Sequence, residues 1–461
     1  MHAHAVTYLP RHASRYTCTQ HLGVDATLNE QPCQQIDVSF DATAHRWVGL
    51  VNVGDSQLGL HRAAMILRHP RYVGEDARMV MAMRVVYAIG SKFGGSGFGT
   101  TAYHGARAIY LQGMLQRLLC GASRETEIPA SLIRALGLPD QVLRKLATYD
   151  RSHWMAHLQT MVFDAWAARR LEPADALLVW YKCGLRSMQR AHAMGMVTIG
   201  QWGNVHPRQQ YDVLADELAR WGLRRRMPRA VLARALAEIE RADYLICPTE
   251  HVRDTFRAEG VPDSKLLSVT NGVDLDHFRP ANDRPGHRFR VLFVGQVGFR
   301  KGVQYLLQAW QQLAWRDAEL LLAGNIDAEI RPLLSRFAAL PGVGFLGYVA
   351  DPLQLYQSAD VFAFPSLMEG SAKVNFEALA CALPVVVTPN AGSVSRDGVE
   401  GYTVPVRDPA ALATALERLR SNERLRREMG GAARLRAESF PWTRHGDALV
   451  EALRSARQAH G

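Results

Sequence analysis

Apolar residues along most of this chain come in short blocks, separated by longer stretches with helical spacing. "MRVVYAIG", from Met83, is the first such block, with its strand placed at 84–89. "ALLVWY" (176–181), "MVTIG" (196–200), "DYLIC" (243–247) and "LLSVT" (266–270) follow it. Continuous apolar runs of this length, bounded by turn residues, predict buried strands of a parallel sheet. A helical pattern over about Thr101–Gln116 follows the first of them. After a Pro/Asn/Asp/Gly-rich linker at 271–287 the rhythm restarts: "RVLFVG" (290–295), "AELLLAG" (318–324), "VGFLGYV" (343–349), "DVFAFP" (360–365) and "LPVVVT" (383–388). Strands alternating with helices predict an α/β class, here two doubly wound domains in tandem that face each other across a cleft. The expected boundaries are 83–275 and 276–440, with 441–461 as a final helix crossing back to the first domain.

Residues 1–82 break this rhythm. They hold no lysine, seven of the seventeen histidines and equal numbers of Arg and Asp/Glu, and show no sustained period beyond a short helical pattern near Leu60–Arg68. The expectation is a disordered extension or a mis-called start, with Met83 as the functional beginning. A metal site at His2, His4 and His12 is disfavoured, because no spaced carboxylate or thiol accompanies them.

Composition then narrows the function classes. A chain of 461 residues is too long for one core, and 48% hydrophobic with 21% charged residues is ordinary for a globular protein. No run reaches the ~18 apolar residues of a membrane span, and the N-terminus lacks a signal-peptide core, so a cytoplasmic location is expected. Six scattered cysteines form no C-x-x-C pair, which argues against zinc and disulfide frameworks. The net charge of +10 suits anionic partners such as nucleotides. Nucleic acid is not expected, since no Lys/Arg stripe interleaved with aromatics is present. The basic patch Arg220–Arg234 reads first as a solvated helix face, and second as a peripheral contact with the inner face of a membrane.

Candidate chemistry concentrates after "DVFAFP". Glu369 stands at the carboxyl end of that strand, and Glu377 stands near the start of the next helix, where the dipole favours an ionised acid. A carboxylate there could accept hydrogen bonds from a ribose diol. The N–H groups of Gly370, Ser371, Ala372 and Lys373 are placed to hold phosphate oxygens. In the first domain "GGSGFGT" (Gly94–Thr100) joins a strand to a helix, and its glycines allow close approach of a ligand. As a dinucleotide fingerprint it is weak, because no acid follows ~20 residues on at a strand end.

"PSLMEGSAKVNFEALACALPVVVT", together with "NGVDLDHFRP", "FVGQVGFRKGVQYLLQAW" and "PNAGSVSRDGVEGYTVPVRDPAALA", resembles glycosyltransferase family 4, whose members have the GT-B fold of two Rossmann-like domains and an E-x7-E signature. The resemblance runs from about Met83 to Arg457 and leaves residues 1–82 without a counterpart. It implies a retaining hexosyltransferase that uses a nucleoside-diphosphate sugar and an acceptor not specified by the motifs, in polysaccharide or glycoconjugate synthesis. By the same resemblance Glu377 binds the donor ribose and Glu369 the donor sugar. Arg300 and Lys301 grip the diphosphate, Gly295 belongs to their turn, Gly95 and Gly97 face the donor, and His206 stands near the reacting sugar. As a bond to phosphate breaks, fixed cations stabilise the growing charge.

This chain departs from the pattern at three places: Ala382 replaces a glycine, which is expected only to tighten packing; Lys373 replaces an apolar residue; and Gln296 replaces an arginine. His206 has a competing structural reading as the cap of the next helix. No cofactor or essential metal is expected, since the only D-x-D match, Asp274–Asp276, lies in the linker turn. The rivals are a nucleotide-sugar epimerase of the same fold, a non-catalytic sugar-nucleotide or glycan-binding protein, and a dehydrogenase.

Overall fold

A computed structural model describes residues 36–41, 46–51, 64–67, 83–95, 97–124, 126–147, 154–224, 228–281, 288–337 and 339–460. The chain divides into two compact units, Met1–Met81 and Ala82–Gly461. In the first unit, strands β1 (Ile36–Asp41), β2 (Arg46–Val51) and β3 (Ala64–Leu67) form an antiparallel sheet in the order β1-β2-β3. The short helix expected near Leu60–Arg68 is replaced there by β3. The alternation Ile36, Val38, Phe40 against Asp37, Ser39, Asp41 has the period of a strand. The remainder of the stretch expected to be disordered lies outside the described residues.

The second unit holds two parallel sheets. The first contains β4 (Val85–Phe93), β5 (Leu115–Ser123), β6 (Ile133–Ala135), β7 (Ala176–Trp180), β8 (Val197–Gln201), β9 (Tyr244–Cys247) and β10 (Leu266–Ser268), in the order β10-β9-β8-β7-β4-β5-β6. The second contains β11 (Phe289–Val294), β12 (Ala318–Ala323), β13 (Val343–Gly347), β14 (Val361–Phe364), β15 (Val385–Val387) and β16 (Gly401–Thr403), in the order β13-β12-β11-β14-β15-β16. Their central strands are apolar on both faces and wholly buried, as at Val85–Ile89 and Val361–Phe364, because helices cover both sides. In each sheet the strand order reverses beside its first strand, between β4 and β7 and between β11 and β14. Ligands of doubly wound sheets bind outside the carboxyl ends at such switch points.

Three strands of the second unit were hidden in the sequence. The first helix is Phe98–Leu111 rather than Thr101–Gln116, and Leu115–Ser123 is strand. The apolar spacing of Leu111, Met114, Leu115, Leu118 and Leu119 prolongs a helical period past Gly113, whose φ of 67° ends the helix. The edge strands β6 and β16 have only three residues each, too few for a period to show.

The final helix, Trp442–His460, packs on the first half of the unit. Its Leu449, Leu453 and Ala456 join the core of β4–β10. Gly105 and Gly446 permit the close crossing: a Cβ on Gly105 would lie 2.9 Å from Leu449, and one on Gly446 would lie 2.6 Å from Ala108.

Ala382 does more than tighten packing. Its φ is 59°, the left-handed region that a side chain disfavours. Ala382→Gly is expected to stabilise the protein by about 0.5–1 kcal/mol, the left-handed strain relieved less the entropy of a freer chain. An unchanged or lower melting temperature would show that no strain is stored there.

Candidate active site

A cleft of about 1060 Å³ lies between the carboxyl ends of the two sheets. On one wall is the glycine-rich turn after β4, and on the other are the turns after β11 and β14. Of the residues singled out from the sequence, Arg300, Lys301, Glu369, Glu377, Ser371, Ala372, Lys373, Gly295, Gly95 and Gly97 line this cleft. Gly370 and His206 do not.

Arg300 and Lys301 occupy a single turn, Phe299–Lys301, that leads from β11 into the helix Val303–Leu313. Glu369 ion-pairs with both: its carboxylate meets the Arg300 guanidinium, and Lys301 Nζ lies 2.6 Å from Oε1. Ser366 donates to the same oxygen at 2.9 Å, and Lys301 Nζ sits 4.7 Å over the Phe364 ring. Burial alone would push the Glu369 carboxyl up, but Arg300, Lys301 and the Ser366 hydroxyl outweigh it and hold it below the usual range. Burial, with Arg300 alongside, pushes Lys301 down to about 8 in spite of Glu369. The trio therefore carries a net positive charge at neutral pH, with its two cations fixed side by side.

The loop after Glu369 is held against the first half of the unit. Thr249 donates to Gly370 O at 2.9 Å, and Asn271 donates to Ser371 O at 2.9 Å. A Cβ on Gly370 would lie 2.2 Å from Gly203 O, so this close approach requires glycine. Gly370 thus brings the two halves together rather than touching the cleft. Ser371 Oγ is buried with no hydrogen-bond partner. The helix Lys373–Ala380 opens at Ala372 with no side-chain cap, and first-turn N–H groups have no acceptor inside a helix.

Glu377 lies in the second turn of that helix, not at its start, so it gains less from the dipole than the sequence implied. Burial pushes its carboxyl above the usual range, against Lys373 and a hydrogen bond of 2.9 Å from Tyr356 OH. Lys373 is pushed down to about 8 by burial, and its Nζ donates to Gly97 O at 2.7 Å across the cleft. That link to the glycine-rich turn was not legible in the sequence, where no local signal pairs residues so far apart.

His206 corrects the expectation that it faces the cleft. It is buried at the N-cap of the helix Pro207–Arg220, its Nδ1 accepts from Arg208 N at 3.4 Å, and its ring packs edge-on against Phe256. Burial pushes it down to about 4, so it is a neutral structural histidine. Gln296, the substitute for arginine, bonds Asp327.

A further network escaped sequence reading. Glu217, on the helix Pro207–Arg220, accepts from Gln304 and Tyr305 at 2.8 Å and from Arg407 at 2.7 Å. Gln304 also donates to Phe299 O at 3.0 Å, which couples the first half of the unit to the turn bearing Arg300 and Lys301.

Residues 288–422 match the family Glycosyl transferases group 1. The match is confined to this stretch, under a third of the chain. It contains Arg300, Lys301, Glu369 and Glu377. The chain is 31% identical over 258 residues to the D-inositol 3-phosphate glycosyltransferase of Geodermatophilus obscurus, covering 50% of this chain and 56% of that protein. It is 28% identical over 185 residues to the capsular polysaccharide biosynthesis glycosyltransferase CapM of Staphylococcus aureus, covering 37% and 49%. The chain thus spans about half the length of these curated relatives. Among solved structures, Anabaena HepE in complex with UDP and glucose superposes with a TM-score of 0.61 at 17% identity, over 81% of this chain and 100% of that one. WaaG, a glycosyltransferase involved in lipopolysaccharide biosynthesis, gives 0.57 at 17% identity, over 81% and 98%. These likenesses show the GT-B fold.

Proposed function

We propose that the protein is a retaining, metal-independent glycosyltransferase that moves a hexose from a nucleoside-diphosphate sugar to an acceptor hydroxyl in polysaccharide or glycoconjugate synthesis. The observation that carries this reading is the convergence of Arg300, Lys301, Glu369 and Glu377 on one cleft at two switch points. The curated relatives are glycosyltransferases by name, and a structural neighbour holds UDP and glucose.

The donor ribose bonds Glu377, and the diphosphate lies between the Arg300–Lys301 turn and the uncapped N–H groups of Ser371–Lys373. Glu369 holds the two cations in register and presents its free oxygen to the sugar. The bond from the anomeric carbon to the β-phosphate oxygen breaks while the acceptor oxygen attacks the same face. The leaving phosphate takes the acceptor's proton. Charge growing on that phosphate is met by Arg300 and Lys301, fixed before the reaction begins. These cations take the role a divalent ion has elsewhere.

A melting-temperature panel of UDP-, GDP- and ADP-sugars, run with and without EDTA, tests this reading. One donor should raise the melting temperature in proportion to the logarithm of its concentration, because it binds only the folded state. No rise with any donor, or a rise that EDTA abolishes, would overturn it.

Glu377→Ala is expected to weaken donor binding by about 1–3 kcal/mol, since it leaves ribose hydroxyls unpaired in a half-buried site. Calorimetric titration checks this, and wild-type affinity would remove Glu377 from the ribose role.

The pH dependence follows from the lysines. Lys301 and Lys373, both pushed down to about 8, lose their charge as pH rises through that value. Since kcat/KM reports groups of the free enzyme, it is expected to fall above pH of about 8. Arginine stays charged throughout, so the double variant Lys301→Arg/Lys373→Arg should shift this fall upward by at least one pH unit. A flat wild-type profile between pH of about 7 and 9.5 would contradict the requirement for charge.

A further inference from the structure

On the first-half wall of the cleft one large apolar side chain stands open: Phe98, 41% exposed. It is the first residue of the helix Phe98–Leu111, straight after the glycine-rich turn. Its ring is seated from three sides. The ring centroids of Trp180 and Tyr181 lie 5.2 and 5.5 Å from its own, and a Cβ on Gly203 would come within 2.4 Å of it. Glycine at 203 is what leaves room for the ring. An apolar side chain fixed in place and open to water costs free energy that a ligand covering it would remove.

Two buried amides belong to the same wall. Gln201, the last residue of β8, is 4% exposed and Asn204 is 8% exposed, and both line the cleft. Trp180 Nε1, which can only donate, bonds Tyr87 OH at 2.8 Å, so that hydroxyl gives its own proton to Gln201 Oε1 at 3.1 Å. Asn204 Oδ1 accepts from Val205 N at 2.8 Å. In both amides the oxygen is engaged, and the NH2 group has no acceptor among the described residues. Charge narrows the ligand further. Between Gly94 and Val269 the lining residues include no carboxylate and one permanent cation, Arg124.

We infer that this wall binds the acceptor, and that the acceptor ends in a neutral sugar ring whose C–H face lies on Phe98 and whose hydroxyl oxygens accept from Gln201 and Asn204. The C–H groups of a sugar carry slight positive charge, and the face of an aromatic ring is negative, so the two attract. Donor-only amides suit hydroxyl oxygens, and a wall without carboxylates gives a cationic ligand no partner. The site adjoins the donor-sugar end of the cleft. Gly370, next to Glu369, abuts this wall: a Cβ on it would lie 2.2 Å from Gly203 O and 3.0 Å from Asn204 N. The residues assigned to the donor ribose and diphosphate all belong to the second half, which leaves the first-half wall to the acceptor. The saccharide site stands on the geometry, and its assignment to the acceptor rests on the proposed glycosyl transfer.

Saturation-transfer NMR on the full chain, without nucleotide, tests the site apart from activity. The probes are the methyl glycosides of glucose, galactose, mannose and N-acetylglucosamine, with glucose 6-phosphate alongside. At least one glycoside should bind, with its ring C–H protons taking up the saturation. Phe98→Ala and Phe98→Leu should each weaken that binding about tenfold, while Phe98→Tyr stays within about twofold of wild type, since it keeps the aromatic face. Asn204→Ala should weaken it about fivefold. Melting temperatures check that each variant is folded. No binding of any glycoside, equal binding by wild type and Phe98→Leu, or binding of the phosphorylated probe alone would overturn the inference. Donor titration then separates the two sugars: Phe98→Ala should keep the donor-induced rise in melting temperature, and a lost rise would place the ring under the donor sugar and overturn the acceptor assignment. A donor response without glycoside binding would refute this site and leave glycosyl transfer standing, and glycoside binding without a donor response would do the reverse.

Discussion

Lys301→Ala is expected to lower kcat about 10²–10³-fold, the loss seen when a preorganised group is removed from developing transition-state charge. Arg300, Lys301 and Glu369 together carry one net positive charge, and the substitution leaves a neutral Arg300–Glu369 pair. The remaining guanidinium still binds a ground-state diphosphate, so the donor KM should change less than turnover does. The fold should survive, because Glu369 keeps Arg300 and Ser366 as partners. Steady-state kinetics over a range of donor concentrations separates the two effects. A kcat within twofold of wild type would take Lys301 out of the mechanism.

Gly302→Ala is expected to damage both stability and activity. Gly302 has a φ of 69° and links the Arg300–Lys301 turn to the helix Val303–Leu313. A Cβ there would lie 1.9 Å from the carbonyl oxygen of Pro365. The same junction holds Leu367 N and Ser366 Oγ on Arg300 O, at 2.9 and 3.1 Å. Relieving the clash must therefore move the turn after β11 away from the loop that ends in Glu369. With left-handed strain added, the cost is about 3 kcal/mol, or a fall of about 6 °C in melting temperature. Turnover should fall with it, because the two cations no longer face Glu369. Calorimetry and kinetics on one preparation check both, and an unchanged melting temperature would show that the junction tolerates a side chain.

The central strands and the cleft were legible because buried parallel strands write themselves as unbroken apolar runs. β5 was not, since its Leu and Met spacing continues a helical period past Gly113. The acids and cations could be found by motif and by strand-end position. Their mutual pairing could not, since Glu369 and Arg300 lie 69 positions apart in the chain and meet only through the β11–β14 pairing. His206 misled for a related reason: a residue after a strand can point into the cleft or back into the helix it caps, and the packing of Phe256 decided the matter. Glu217 and Arg407 left no local signal at all, because an interdomain contact is fixed only when both sheets are assembled.

The most direct measurement is a crystal structure of the protein soaked with the donor that the melting-temperature panel selects. The account predicts diphosphate oxygens within hydrogen-bond distance of Arg300 and Lys301, with the ribose on Glu377. A donor bound elsewhere, or an empty cleft at saturating donor, would contradict it.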